Sequence, residues 1–194
     1  MNVKSVRAQP LSLDERQSMI IDATIPLLLE RGREITSREI ADAAGVAEGT
    51  IFRAFGDKES LVRAAAERFL DPEPLRAGLR AIDSSLSLEV KIRAAIELVQ
   101  NRLRGVFRMV ALLPEEDRPQ PRPGDGDFAT IIAALLEPDR AQLGWPGERV
   151  AHVIRLIAVA SSFPRLSDGT EFSLDELTSI VMHGVARDPK RNGK

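Results

Sequence analysis

The chain of 194 residues contains no cysteine, which removes disulfide frameworks, thiolate metal sites and cysteine nucleophiles together and suits a reducing interior. Only two histidines occur, His152 and His183. With no third ligating partner suggested beside them, no metal site is expected. A dominant charge is also missing: 27 Lys and Arg face 29 Asp and Glu, for a formal net charge of -2. Any attraction to a polyanion must therefore be local. No apolar run approaches the roughly 18 residues that cross a bilayer, and residues 1–12 lack the apolar core of a secretory leader. The expectation is a cytoplasmic protein with no membrane partner. Glycine-rich phosphate loops, nucleophile elbows and clustered histidine–carboxylate sets are absent as well, so no catalytic residue, no enzyme activity and no cofactor is expected.

What is present is apolar periodicity. Hydrophobic residues make up 43% of the chain and recur at spacings of three and four with no convincing period of two, which predicts an all-α fold. Ser12 with Glu15, Thr36 with Glu39 and Ser173 with Glu176 have capping-box spacing and mark three helix starts. Pro26 lies inside the first apolar run, where a kink or a restarted helix is expected. Asp71-Pro72-Glu73-Pro74 stops the fourth segment and sets a domain boundary. The resulting division is a tail over 1–11, a domain over 12–71 and a larger helical domain over 72–190. Within the latter, helices are expected at about 73–83, 87–113, 128–143, 147–163 and 174–187, with a mobile loop at 114–127.

The most informative stretch is AGVAEGTIFRAFGDKESL, residues 44–61. Gly45 and Gly56 isolate a helix barely two turns long. At 100° per residue, Ala47, Ile51, Ala54 and Phe55 fall on one side, and Gly49, Thr50, Phe52 and Arg53 on the other. So short a helix is unstable alone and has to be clamped by its apolar side. The presented side then offers a close-approach glycine, a hydroxyl, a flat ring and a guanidinium. A short helix, a tight glycine turn and a second short helix make a helix-turn-helix, whose second helix fits the major groove of B-DNA. Thr36 or Arg38 before it and Lys58 after it are placed to hold phosphates on either side.

With those residues in view, the segment 14–70 resembles the DNA-binding domain of the tetracycline-repressor (TetR) family. TSREIADAAGV followed by GTIFRAFGDKESL is similar to that family's Thr-capped helix, Ala-Gly-Val turn, Gly-Thr-hydrophobic-aromatic-x-x-Phe helix and Lys-Glu-x-Leu opening of the next helix. The chain departs from it in having Ala47, Phe52 and Ala54 where the family commonly has Ser, Tyr and His. The resemblance implies an N-terminal three-helix helix-turn-helix domain joined to a helical C-terminal domain that binds a small-molecule effector and dimerises. It further implies a homodimer through the helices at 147–163 and 174–187, a palindromic double-stranded DNA operator, and a repressor that leaves this operator when the effector binds. The competing expectation is a helical ligand-binding or scaffolding protein of the same fold without DNA activity.

Overall fold

Three helices begin where a side chain replaces the backbone partner that a first turn lacks. In the computed structural model, which describes residues 12–118, 127–163 and 170–185, Ser12 Oγ accepts from the Glu15 amide at 3.1 Å and Glu15 accepts from the Ser12 amide at 2.8 Å. Thr36 with Glu39 and Ser173 with Glu176 repeat the arrangement. These boxes open α1 (Leu13–Arg31), α2 (Ser37–Ala44) and α9 (Leu174–Val185). Between them lie α3 (Glu48–Phe55), α4 (Lys58–Leu70), α5 (Glu73–Arg80), α6 (Leu88–Ala111), α7 (Asp127–Leu136) and α8 (Gly147–Ser162). Among the described residues there is no β-strand, and the fold is all-α. The expected tail 1–11, residues 119–126 of the expected loop and the end of the last expected helix beyond 185 lie outside the described residues.

α1 runs through Pro26 without restarting, which leaves the kink as the remaining alternative there. One boundary differs clearly from expectation. α7 ends at Leu136 rather than near 143, and a 3-10 helix (Glu137–Gln142) replaces its continuation. Pro138 explains this: its ring and missing N–H oppose a further α-turn but are tolerated at the start of a new one.

The described residues divide into two compact units, one comprising 12–70 with 108–118 and the other 71–107 with 127–163 and 170–185. In the first, α1 packs against α2 and α4, and α3 packs against α1, α2 and α4. Ile20, Leu28, Ile40, Ile51 and Leu61 are fully shielded in its core. Met109 and Leu113, from the end of α6 and just beyond, belong to that same core. The uninterrupted period of α6 gives no sign of this change of partner, and these residues were expected in the larger domain.

In the second unit α7 lies along α8, with α5 against α7 and α9 against α8. A Cβ on Gly147 would sit 2.8 Å from Ala133 Cα, so the α7–α8 approach requires a glycine there. This core also holds an ion pair. Lys91 is 0% exposed; its Nζ donates to the Ser84 carbonyl at 2.7 Å and pairs with Asp139 Oδ2. Asp139 Oδ1 accepts from Gln142 Nε2 at 3.0 Å, whereas Oδ2 has no conventional hydrogen-bond partner besides this charge. The pair ties the start of α6 to the 3-10 helix. Removing one member of a buried pair typically costs about 3–5 kcal/mol, because the other charge is left in an apolar surrounding. Lys91→Ala is expected to destabilise the second unit by an amount in that range in urea unfolding, and Lys91→Met with Asp139→Leu to recover most of it. An unchanged Lys91→Ala midpoint would show that the pair is idle.

Candidate nucleic-acid interface

The helix at the centre of the interface, α3, depends on its neighbours for stability. Gly45, at φ 65°, occupies the left-handed conformation that ends α2, and its N–H reaches the carbonyls of Ala41 and Asp42. Two residues later Ala47 is extended, at φ -72° and ψ 141°, and serves as the N-cap of α3. Ile51 is 0% exposed and anchors the helix in the first unit's core, with Ala54 and Phe55 half-buried beside it. From α1, Gln17 Nε2 donates to the Ala54 carbonyl at 2.7 Å. That bond satisfies one of the carbonyls a helix C-terminus leaves open. The sequence pattern offered no signal for Gln17, a polar residue 37 positions away.

The opposite side of α3 carries the expected row. Gly49 is exposed, and nothing lies within 4 Å of where its Cβ would stand. Phe52 is 47% exposed, a high value for a ring in a domain with an apolar core. Arg53 is exposed and lies back along the helix, with Nε donating to the Gly49 carbonyl and Nη2 to Thr50 Oγ1, each at 3.3 Å. Gly49, Thr50 and Arg53 therefore form one connected surface, with Thr50 half-buried at its base. Ala47 does not join the packed side as the helical wheel assigned it; it is exposed. The reason is geometric: an N-cap has extended backbone and does not follow the 100° progression.

The flanking residues are more committed to the protein itself. The Thr36 hydroxyl accepts from the Glu39 amide at 3.2 Å and is 2.9 Å from Glu39 Oε2, so both its donor and acceptor sides serve the cap. Arg38 is exposed on the first turn of α2. Lys58 is half-buried at the start of α4, and its Nζ donates to the Arg33 carbonyl at 2.8 Å. An ammonium has further protons to give, yet this bond fixes Lys58 against the turn after α1. Asp57 caps α4 by accepting from the Ser60 amide at 2.7 Å, a bond that holds its carboxyl below the usual range.

Elsewhere, His152 and His183 are both exposed. Among the described residues no group of three potential ligands could hold a metal ion, and no helix is long and apolar enough to cross a membrane.

The Glu39 carboxyl is lowered from 4.5 to about 2, first by the Thr36 amide, then by the Arg31 guanidinium and the Thr36 hydroxyl. The unfolded chain lacks these partners and takes up the proton at higher pH. Stability from Glu39 is therefore complete above pH 4.5 and lost as pH falls towards about 2. Glu39→Gln should flatten the acid side of the first unit's melting-temperature profile over that window. Parallel profiles for the two proteins would mean that the charge of this capping box is silent.

Residues 20–65 match the family described as bacterial regulatory proteins, tetR family, a segment that includes α2 and α3 entire. A 91-residue stretch is 35% identical to the HTH-type transcriptional repressor KstR2 of Rhodococcus jostii, covering 43% of each chain. A 46-residue stretch is 50% identical to the uncharacterized HTH-type transcriptional regulator YvkB of Bacillus subtilis, covering 23% of this chain and 24% of that one. The chain thus spans less than half the length of these curated relatives. Over most of its length the fold is similar to that of a TetR transcriptional regulator from Streptomyces coelicolor, at 20% identity and a TM-score of 0.52, with 88% of this chain and 98% of that one covered.

Proposed function

We propose, from the match of residues 20–65 to the tetR family, that the chain is a member of that family and a ligand-responsive DNA-binding transcriptional regulator, a repressor released from a palindromic operator by a small molecule. One observation carries the reading. The short helix α3 is anchored by the buried Ile51 and turns Gly49, Thr50, Phe52 and Arg53 outwards as a row. In this reading Gly49 lets the helix approach the groove wall, and Thr50 and Arg53 supply donors to base edges or phosphates. Phe52 packs on sugar or thymine methyl, the apolar half of base readout. The open amides at the start of α3, which Ala47 does not cap with a side chain, face phosphate favourably. Arg38 and Lys58 flank the groove and set register rather than sequence preference, and Thr36, whose hydroxyl is committed to the cap, holds the start of α2 beside them.

Dimerisation gives the second recognition helix. On α8 Leu156 is 69% exposed and on α9 Ile180 is 50% exposed. Gly184 has open space around it, and the small residues Ala160, Ser161 and Ser162 end α8. These features suit close pairing with a second copy into a four-helix bundle. A two-fold dimer sets its α3 helices about 34–36 Å apart, one turn of B-DNA, and so reads a palindrome. The named repressor among the relatives supports negative regulation. α6 supports the coupling, since its body belongs to the second unit's core and its last residues to the first's. An effector that biases α6 would reach the DNA-binding core through a single helix, and a coupling of about 1–3 kcal/mol changes affinity roughly 5- to 150-fold. All of these events take place in the cytoplasm.

Arg53→Ala is expected to weaken operator binding about 5- to 150-fold, the cost of one good base contact, while the melting temperature stays unchanged because Arg53 is exposed. Binding by the unaltered protein should fall linearly in log affinity with log salt. Failure of the folded protein to bind any genomic fragment at low salt would overturn the regulator reading in favour of a non-DNA protein of the same fold. Leu156→Glu with Ile180→Glu should yield a monomer by sedimentation that binds operator poorly; a persistent dimer would relocate the interface.

A further inference from the structure

The second unit contains a small apolar pocket of about 170 Å³ among α5, α6, α7 and α8. Its walls are Leu75, Val99, Leu103, Phe128 and Val159, with Pro72 at one edge. The polar groups among them are unusual in kind. Arg76, Arg102 and Arg155 come from three different helices, and no acidic residue is among the described residues lining the space.

Each arginine has protein contacts of its own. Arg102 is partly buried and donates from Nη2 to the Asp71 carbonyl at 2.7 Å. Burial pushes its guanidinium down from the usual range, the Asp71 charge only partly opposing it. Arg155 lies over the Phe128 ring at 5.5 Å and contacts His152 Nδ1 through Nη2 at 3.1 Å. Arg76 has Glu73 and Asp127 at 3.9 and 3.8 Å, long ion pairs with carboxylates that do not line the pocket. Three positive charges thus border one apolar space, and Asp71, Glu73 and Asp127 are not among the described residues that line it. Such a site favours an anion with an apolar body. A planar guanidinium pairs with a carboxylate by two parallel hydrogen bonds, stronger than those between neutral groups. A neutral ligand would forgo those bonds, and a cation would be repelled. The volume is close to the roughly 150 Å³ of a cavity that holds benzene.

We propose that this pocket binds a small apolar monoanion, an aromatic or branched carboxylate of about six to ten non-hydrogen atoms. The inference rests on the reading that the protein responds to a ligand, and it names the chemical class of that ligand. Arg102 and Leu103 are on α6, so the carboxylate and the apolar body both touch the helix that ends in the DNA-binding core.

Calorimetric titration of the full-length protein with benzoate, benzamide, benzylamine and inorganic phosphate tests this. Benzoate is expected to bind about tenfold or more tightly than benzamide, the difference made by charge-assisted hydrogen bonds. Benzylamine and phosphate should not compete. Arg155→Gln, a change at an exposed side chain, should lower benzoate affinity about fivefold or more without altering the melting temperature; Arg102→Gln should do the same if it folds. Equal binding of benzoate and benzamide would overturn the proposal, as would phosphate as good as benzoate or no benzoate binding at about 10 mM, where a contact worth measuring would register. Operator binding is measured in the same samples. A free protein that holds DNA while ignoring benzoate contradicts the pocket and leaves the DNA-binding reading standing; benzoate that binds selectively but does not release DNA supports the pocket and contradicts release by this class of ligand.

Discussion

Every part of the interface depends on holding a two-turn helix that would not persist alone. Helices this short lack the length to repay their nucleation cost in water, so α3 takes its stability from the core through Ile51 and from the Gln17 bond to its last turn. The same constraint accounts for the outward row. Because the apolar side is committed to α1, α2 and α4, the remaining side has no packing task, and a ring at Phe52 together with an arginine folded along the helix is left exposed. A longer helix could have been stable with a mixed surface. This one needs its packed side complete.

The extent to which this was legible in the sequence follows the range of the interactions. Capping boxes act over three residues, and all three were readable from Ser12, Thr36 and Ser173 with their partner glutamates. The isolation of α3 by Gly45 and Gly56 was equally local. Where the angular argument misplaced a residue, at Ala47, the backbone had left the helical progression that the argument assumes. Lys58 and Gln17 show the opposite limit. Their bonds to the carbonyls of Arg33 and Ala54 span 25 and 37 residues, and neither periodicity nor charge pattern encodes such a pairing. The stop of α7 at Leu136, two residues before Pro138, obeys a rule of the same short range.

The second unit was read least well, for a physical reason. Its stripes on α8 and α9 say which sides are buried but not what else is buried with them. Lys91 sits in an apolar helix segment and would be assigned to solvent by type, yet it is fully enclosed, with its compensating Asp139 on a 3-10 turn 48 residues later. The arginines around the small pocket are similar. Each reads as an ordinary surface charge in sequence, and only the packing of four helices brings Arg76, Arg102 and Arg155 to one space. The N-terminal unit is built largely from short-range rules, and the C-terminal unit from polar groups that meet only after the chain has folded.

The central claim is that the outward flank of α3 occupies the major groove of DNA. Dimethyl sulfate protection on a selected binding fragment tests it most directly, because the reagent marks guanine N7 in that groove. Two protected clusters about one helical turn apart, related by a two-fold axis, are the result this account predicts. A bound complex in which guanine N7 stays fully reactive throughout the footprint would contradict it.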